Sequence, residues 1–239
     1  AEPAGSGVSL LEHLRWYATP ADAERGFCGH CGSKLFWRSN DGSAMDIAAG
    51  SVDQPTGLKT TAHIWARDKG DYYGLPEDGP CFVESAGKAR QETDPAAPFS
   101  RELLLHHGGC LCGGVELTVR GKMRDVVWCH CGQCLRWHGH FGGYTASTWQ
   151  NIALRGEDKI AWYKSSDQAR RGFCRDCGSS LFWEAFGRDY VSIAAGVLDL
   201  PTGLVTARHI FVESKGDYYE VGKGIAQSPG SMAANPVTF

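Results

Sequence analysis

The sequence has little excess charge of either sign. Its 24 Lys+Arg against 27 Asp+Glu give a formal net charge of -3 and a pI near 6.3. No basic field exists to hold a phosphate backbone, so nucleic acid is not an expected partner. No run approaches the roughly 20 apolar residues that a membrane-spanning helix needs. The opening AEPAGSGVSL lacks the charged n-region and apolar h-region of a secretory signal, and the expectation is a cytoplasmic protein with no membrane association. Ala1 stands where a Met would begin a gene product, so either something upstream was removed or the sequence is a fragment. Convincing three-turn amphipathic helices are also missing. What remains is 239 residues, 42% of them hydrophobic, enough for one large domain or two of average size.

The chain carries ten cysteines, and they are clustered. Cys110 and Cys112 form C-x-C; Cys129, Cys131 and Cys134 form C-x-C-x-x-C; Cys174 and Cys177, like Cys28 and Cys31, form C-x-x-C-G. Cys81 stands alone and reads as an idle thiol. Cysteines one residue apart do not easily reach disulfide geometry, and a cytosolic setting disfavours it further. Knots of thiols at this spacing suit a tetrahedral thiophilic ion such as zinc.

Sliding the sequence on itself by 146 positions aligns two segments without a gap. RGFCGHCGSKLFW from Arg25 meets RGFCRDCGSSLFW from Arg171, IAAG from Ile47 meets Ile193, PTGL from Pro55 meets Pro201, and KGDYY from Lys69 meets Lys215. Roughly 30 of about 64 aligned positions are identical, which identifies two homologous modules. The second has about 45 residues before its Trp-Tyr signature, including two cysteine clusters; the first has only about 15. Cys28 and Cys31 are therefore half a metal site, binding weakly, borrowing ligands, or completed by a front lying upstream, the alternative favoured here. Residues 74–106 have linker composition, Pro- and Gly-rich with little periodicity. The division expected is a truncated first module at 1–80, a linker at 81–105, a complete module at 106–222 and a frayed tail at 223–239.

In the second module, short runs dense in aromatic and β-branched residues (VELTV, DVVW, GGYTAS, KIAWYK, SLFWEA, YVSIAAG, TARHIF) are separated by Gly, Pro, Asp or Cys, which predicts strands. One helical turn is expected, near Gly132 to Trp137. The fold class is mainly β, small sheets pinned by metal. Trp162, Phe173, Phe182 and Trp183 are expected in the core.

The spacing suggests that Cys110 and Cys112 join Cys174 and Cys177 in a closed, structural tetrahedron. Cys129, Cys131 and Cys134 then form a three-thiolate set with a fourth position open, the arrangement of a catalytic zinc. Other pairings of the seven cysteines remain open, and His130, His138 or His140 lies close enough in sequence to fill the fourth position. His130, His138 or His209 could do proton work. A cation would help the negative charge of such a site, with Arg136 as first candidate and Arg171 as second. Gly142 and Gly143 could admit substrate backbone, and Phe141 and Tyr144 could wall a pocket.

GGCLCGGVEL from Gly108, CHCGQCLRWHGHFGGYTA from Cys129, RGFCRDCGSSLFW from Arg171 and ARHIF from Ala207 resemble the glutathione-dependent formaldehyde-activating enzyme family, which includes the centromere protein V type. The resemblance covers residues 108–219 in full and 10–73 as a truncated copy. It implies a β-tent fold with two zincs per complete module. It assigns Cys110, Cys112, Cys174 and Cys177 to a structural ion, and Cys129, Cys131 and Cys134 to a catalytic one. It further implies the condensation of glutathione with formaldehyde to S-hydroxymethylglutathione, or the reverse carbon–sulfur cleavage. Arg136 and His138 are the residues expected to meet glutathione. The partners expected are a small thiol and a small aldehyde, with the two modules packing within the chain or in a homodimer. A non-catalytic zinc module that carries glutathione or engages a protein or chromatin partner is the alternative. The first copy departs from the pattern, having nothing before it to match CHCGQC, and no catalytic role carries over to it.

Overall fold

The computed structural model describes residues 10–19, 23–76, 78–84 and 104–231. Most of the expected linker, 85–103, and the end of the expected tail, 232–239, lie outside these. The chain is mainly β. After a short helix α1 (Leu10–His13), the first module forms β1 (Leu14–Thr19), β2 (Ala23–Cys28), β3 (Lys34–Ser39) and β4 (Met45–Ile47), a four-stranded antiparallel sheet in that order. Next come β5 (Leu105–Gly109), β6 (Glu116–Arg120), β7 (Arg124–Cys129), helix α2 (Gly132–His138), β8 (Gly142–Thr148) and β9 (Ile152–Arg155). Then follow β10 (Ile160–Ser166), β11 (Ala169–Cys174), β12 (Ser180–Ala185), β13 (Tyr190–Ala194), β14 (Thr206–Ile210) and β15 (Ala226–Gln227). The order β10-β11-β12-β13-β8-β7-β14-β15 makes an eight-stranded sheet, and β5-β6-β9 a three-stranded one.

Each expected strand run falls on a strand, and α2 extends the expected turn by one residue. The alternation in β6 shows why: Leu117 and Val119 are buried while Glu116 and Arg120 are exposed, the period-2 pattern of a strand with one face inward. β8 lies between β7 and β13 and is buried along most of its length, as a central strand must be. Phe173 and Phe182 are fully buried as expected. Trp162 and Trp183 are only half-buried. Trp162 offers one face to Phe182 and the other to the Arg170 guanidinium, 4.0 Å from the ring centroid, because β10 is an edge strand. Trp183 borders an open cleft.

The 146-residue offset recurs in three dimensions. Leu14 pairs with Cys28 and Ile160 with Cys174, and both second strands carry a bulge after their glycine, at Gly26/Phe27 and Gly172/Phe173. The modules exchange equivalent contacts. Phe173 packs on Gly32, and Phe27 on Gly178; both glycines have positive φ, 82° and 76°, and a Cβ at either would strike the facing ring at 2.5 Å. The Asp71 carboxylate accepts from Thr202 N (2.8 Å), Thr202 Oγ1 (2.7 Å) and Gly203 N (3.0 Å). Asp217 accepts likewise from Thr56 N, Thr56 Oγ1 and Gly57 N. Thr206 Oγ1 donates to Tyr72 O and Thr60 Oγ1 to Tyr218 O. The two KGDYY segments thus each grip the other module's PTGL loop, an isologous arrangement realised inside one chain.

Candidate metal centres

The first cluster is built where strands end in tight turns. After β5, Cys110 closes a turn in which Cys110 N donates to Val115 O and Gly113 N to Cys110 O, with Gly113 at φ 70°. After β11, Gly178 N donates to Cys174 O. Leu111 N donates to Ser179 Oγ at 2.9 Å and ties the two turns together. The sulfurs of Cys110, Cys112, Cys174 and Cys177 lie within 4.8 Å of one another, with Cys110–Cys112 at 3.4 Å and Cys112–Cys174 at 3.7 Å. Four thiolates about 2.3 Å from a tetrahedral zinc stand about 3.8 Å apart, so this donor set fits such an ion. All four are free thiols. This pairing, among those left open, is the one the fold gathers.

The second cluster sits on one continuous segment. Cys129 is the last residue of β7, Cys131 is the N-cap of α2 and accepts from Cys134 N, and Cys134 lies in the helix's first turn. Their sulfurs also lie within 4.8 Å of one another. Cys129 and Cys134 are buried, whereas Cys131 is half-buried. Among the described residues, no fourth His, Cys, Asp or Glu joins this trio. Hydrogen bonds from the Cys129 and Cys134 thiols draw Cys131 down, with the Arg171 guanidinium adding to the effect. The same bonds, with burial, push Cys129 up.

The histidines that could have closed this site are committed elsewhere. His130, fully buried, bonds through Nδ1 to Tyr219 Oη (2.7 Å) and through Nε2 to His209 Nδ1 (2.9 Å). Burial, with His209 beside it, lowers it to about 3. His138 Nε2 meets Tyr144 Oη at 2.6 Å and His140 Nδ1 meets Tyr218 Oη at 3.0 Å. Burial, with Lys34 and then Arg171 nearby, holds His138 well below the usual imidazole range, so it is neutral at pH 7.

The two arginine candidates exchange rank. Arg136 turns outward to Ser51 O (3.0 Å) and the Asp53 carboxylate, because its position on α2 faces the first module and not the cluster. Arg171 is buried at 4% exposure. Its Nη2 lies 3.8 Å from Cys134 Sγ and 3.4 Å from Gln133 Oε1, and its Nη1 donates to Tyr144 Oη at 3.1 Å.

Cys28 and Cys31 gather no third ligand among the described residues. Beside them the rings of His13 and His30 stand 5.3 Å apart, where the second module has the Lys159–Asp176 ion pair. Cys31 serves the other module through its carbonyl, which accepts from Trp137 Nε1 at 2.7 Å. With Gly50 N donating to Gly139 O at 2.7 Å, these bonds hold α2 on the first module. No sequence signal pointed to this dock, since its partners are backbone carbonyls and a glycine.

Two clefts flank α2. One, of about 460 Å³, is lined by Gln133, Asp167, Trp183, Phe186 and Arg188. The other, of about 320 Å³, lies between the modules and is lined by Lys34 and Tyr72 of the first and by Trp128, His138 and Gly142 of the second. Both fall within the usual range for small-molecule sites, roughly 300–1,000 Å³. Among the described residues, no helix is long and apolar enough to cross a membrane.

The sequence profile of the family described as glutathione-dependent formaldehyde-activating enzyme matches residues 12–68 and 105–214. An uncharacterized lyase of Schizosaccharomyces pombe is 24% identical over 117 residues, 48% of this chain and 84% of that protein. The crystal structure of a Rhodobacter sphaeroides protein is 21% identical, with a TM-score of 0.35 over 42% of this chain and 98% of that one. With a profile match across both modules, the chain belongs to the glutathione-dependent formaldehyde-activating enzyme family.

Proposed function

We propose that the chain is a zinc-dependent enzyme of the carbon–sulfur lyase type, acting on the adduct of glutathione or a similar small thiol with formaldehyde or another small aldehyde. The observation that carries this reading is the trio Cys129, Cys131 and Cys134, gathered within 4.8 Å with no fourth protein ligand among the described residues. Cys110, Cys112, Cys174 and Cys177 would hold a structural ion. The trio would hold the second ion, which when bound favours the thiolate form of a thiol ligand and polarises a neighbouring oxygen. The lyase named among the relatives and the family's description support the same reaction class.

The chain's own residues then have definite tasks. Arg171, buried against Cys134, offsets the negative charge of the thiolates where screening by water is weak. Because Arg171 donates to Tyr144 Oη, the phenol proton is directed at His138 Nε2. Burial keeps Tyr144 protonated, well above its usual range, and His138 neutral. The pair can therefore pass a proton without either member holding a lasting charge. In the cleavage direction the adduct's hydroxyl would give its proton through the Tyr144–His138 pair to water, a carbon–oxygen double bond forms, the carbon–sulfur bond breaks and its electron pair leaves on sulfur as a thiolate. Condensation is the reverse.

The test is zinc analysis followed by zinc-edge spectroscopy on addition of glutathione, with rates compared to the spontaneous thiol–aldehyde reaction. Two zincs per chain, a fourth sulfur arriving at one of them, and a rate above the spontaneous one are expected. One zinc, or an edge that glutathione leaves unchanged, refutes the site. A changed edge without rate enhancement replaces the enzyme by a thiol carrier.

A further inference from the structure

The cleft between the modules contains a lysine that meets no carboxylate among the described residues; burial lowers its ammonium to about 7, while the Cys177 and Cys31 thiols draw it back up. Lys34 Nζ donates to Gly32 O and to Ser180 Oγ, both at 2.7 Å. Both acceptors are neutral, and an ammonium has three protons to give. Among the described residues no carboxylate stands within ion-pair distance of it. A desolvated ammonium is either paired with an opposite charge or gives up its proton, and a carboxylate bound against Lys34 would hold it charged. The fold does not require a lysine here. The equivalent position 146 residues on is Ser180, which is buried, so a small neutral side chain satisfies the same backbone.

Lys34 lines the cleft together with His138 and Gly142. Gly142 is the cross-strand partner of Cys129, about 5 Å away between Cα atoms in an antiparallel pair. His138 connects through Tyr144 and Arg171 to Cys134. The cleft therefore begins one strand-spacing from the second cluster's backbone and reaches Lys34 of the first module.

We infer that Lys34 of the first module is the anchor for a carboxylate of the thiol substrate, which lies in the cleft between the modules. This rests on the reading of the second cluster as a thiol site. It gives the first module a part in the chemistry of the second: with no metal cluster among its described residues, it supplies the charge that selects an anionic thiol over a neutral one. Lys34 recognises the substrate and takes no part in bond making.

The experiment is calorimetric titration of the full zinc-loaded chain with S-methylglutathione, which has the carboxylates but no free thiol, alongside zinc-edge titrations with glutathione and 2-mercaptoethanol. Wild type is compared with Lys34→Ser, the residue the fold already accepts at position 180, and Lys34→Gln. Both variants are expected to keep two zincs and the wild-type unfolding midpoint. They should bind S-methylglutathione and glutathione about 10- to 100-fold more weakly, the loss of one charge-assisted hydrogen bond, with the 2-mercaptoethanol response unchanged. Unaltered S-methylglutathione affinity in both variants overturns the inference. So does zinc lost in step with affinity, which would make Lys34 a counter-charge to the cysteine clusters. If wild type fails to bind S-methylglutathione while glutathione still changes the zinc edge, the anchor falls and the thiol site stands. If S-methylglutathione binds through Lys34 but glutathione leaves the edge unchanged, the anchor stands and the lyase reading falls.

Discussion

Replacing Gly50 by Ala tests whether the first module holds the second cluster's helix in place. A Cβ at Gly50 would lie 2.2 Å from Leu135 O and 2.6 Å from Gly139 C. These are backbone atoms of α2 and its C-cap, so no side chain can swing aside. Ordinary contact requires α2 to retreat by about 1 Å, enough to break the 2.7 Å bond from Gly50 N to Gly139 O and to loosen the Trp137 bond to Cys31 O. Forced overpacking costs about 1–3 kcal/mol and a lost hydrogen bond about 1 kcal/mol, so a loss of about 2–4 kcal/mol is expected. In urea this lowers the midpoint by roughly 1 M. The internal control is Gly196→Ala at the equivalent position of the second module, where a Cβ meets nothing within 4 Å; that variant should stay within about 0.5 kcal/mol of wild type. Because Cys131 and Cys134 ride on α2, Gly50→Ala should also weaken zinc retention at the second cluster, read as a ratio nearer one zinc per chain during mild chelation. Equal midpoints for the two variants would refute the argument that the first module clamps α2.

Three further predictions use other parts of the molecule. Cys174→Ser should unfold the second module, because the closed cluster joins β5 to β11, whereas Cys131→Ser should remain folded by circular dichroism and lose thiol binding; equal loss of structure in both refutes the division between the clusters. Arg171→Met removes the buried cation beside Cys134 and should weaken glutathione binding about tenfold or more by calorimetry, while Arg136→Met, at the surface, should leave it unchanged. Asp71→Ala deletes an acceptor of three hydrogen bonds around the buried Thr202 and should cost about 2–4 kcal/mol in urea unfolding. Asp217→Ala, at the exposed equivalent, should cost measurably less, and the reverse ranking would refute the assignment of this energy to burial.

Much was legible in the linear pattern because it depends on local chemistry. Strand alternation, punctuation by glycine, and cysteines at fixed short spacing are constraints that the chain imposes on itself within a few residues. They determined the strands, the turn that became α2, the cysteine trio and the repeat. The pairing of Cys110 and Cys112 with Cys174 and Cys177, one arrangement among several, was decided by the fold, which brings the end of β5 to the end of β11.

The properties that spacing could not decide are those that depend on what lies across from a residue. Sequence put Arg136 ahead of Arg171; only packing turned the first to Asp53 at the surface and buried the second against Cys134. His130 sits between two cysteines in sequence, yet Tyr219 and His209 occupy both its nitrogens. Lys34 is one difference within the repeat, and only the pseudo-twofold contact places it opposite Ser180 and against the cleft between the modules. Sequence by itself settled which sulfurs sit in one short knot, because that spacing is local. Tertiary structure alone decided which charges, protons and cavities face them, because those depend on desolvation and on partners distant along the chain.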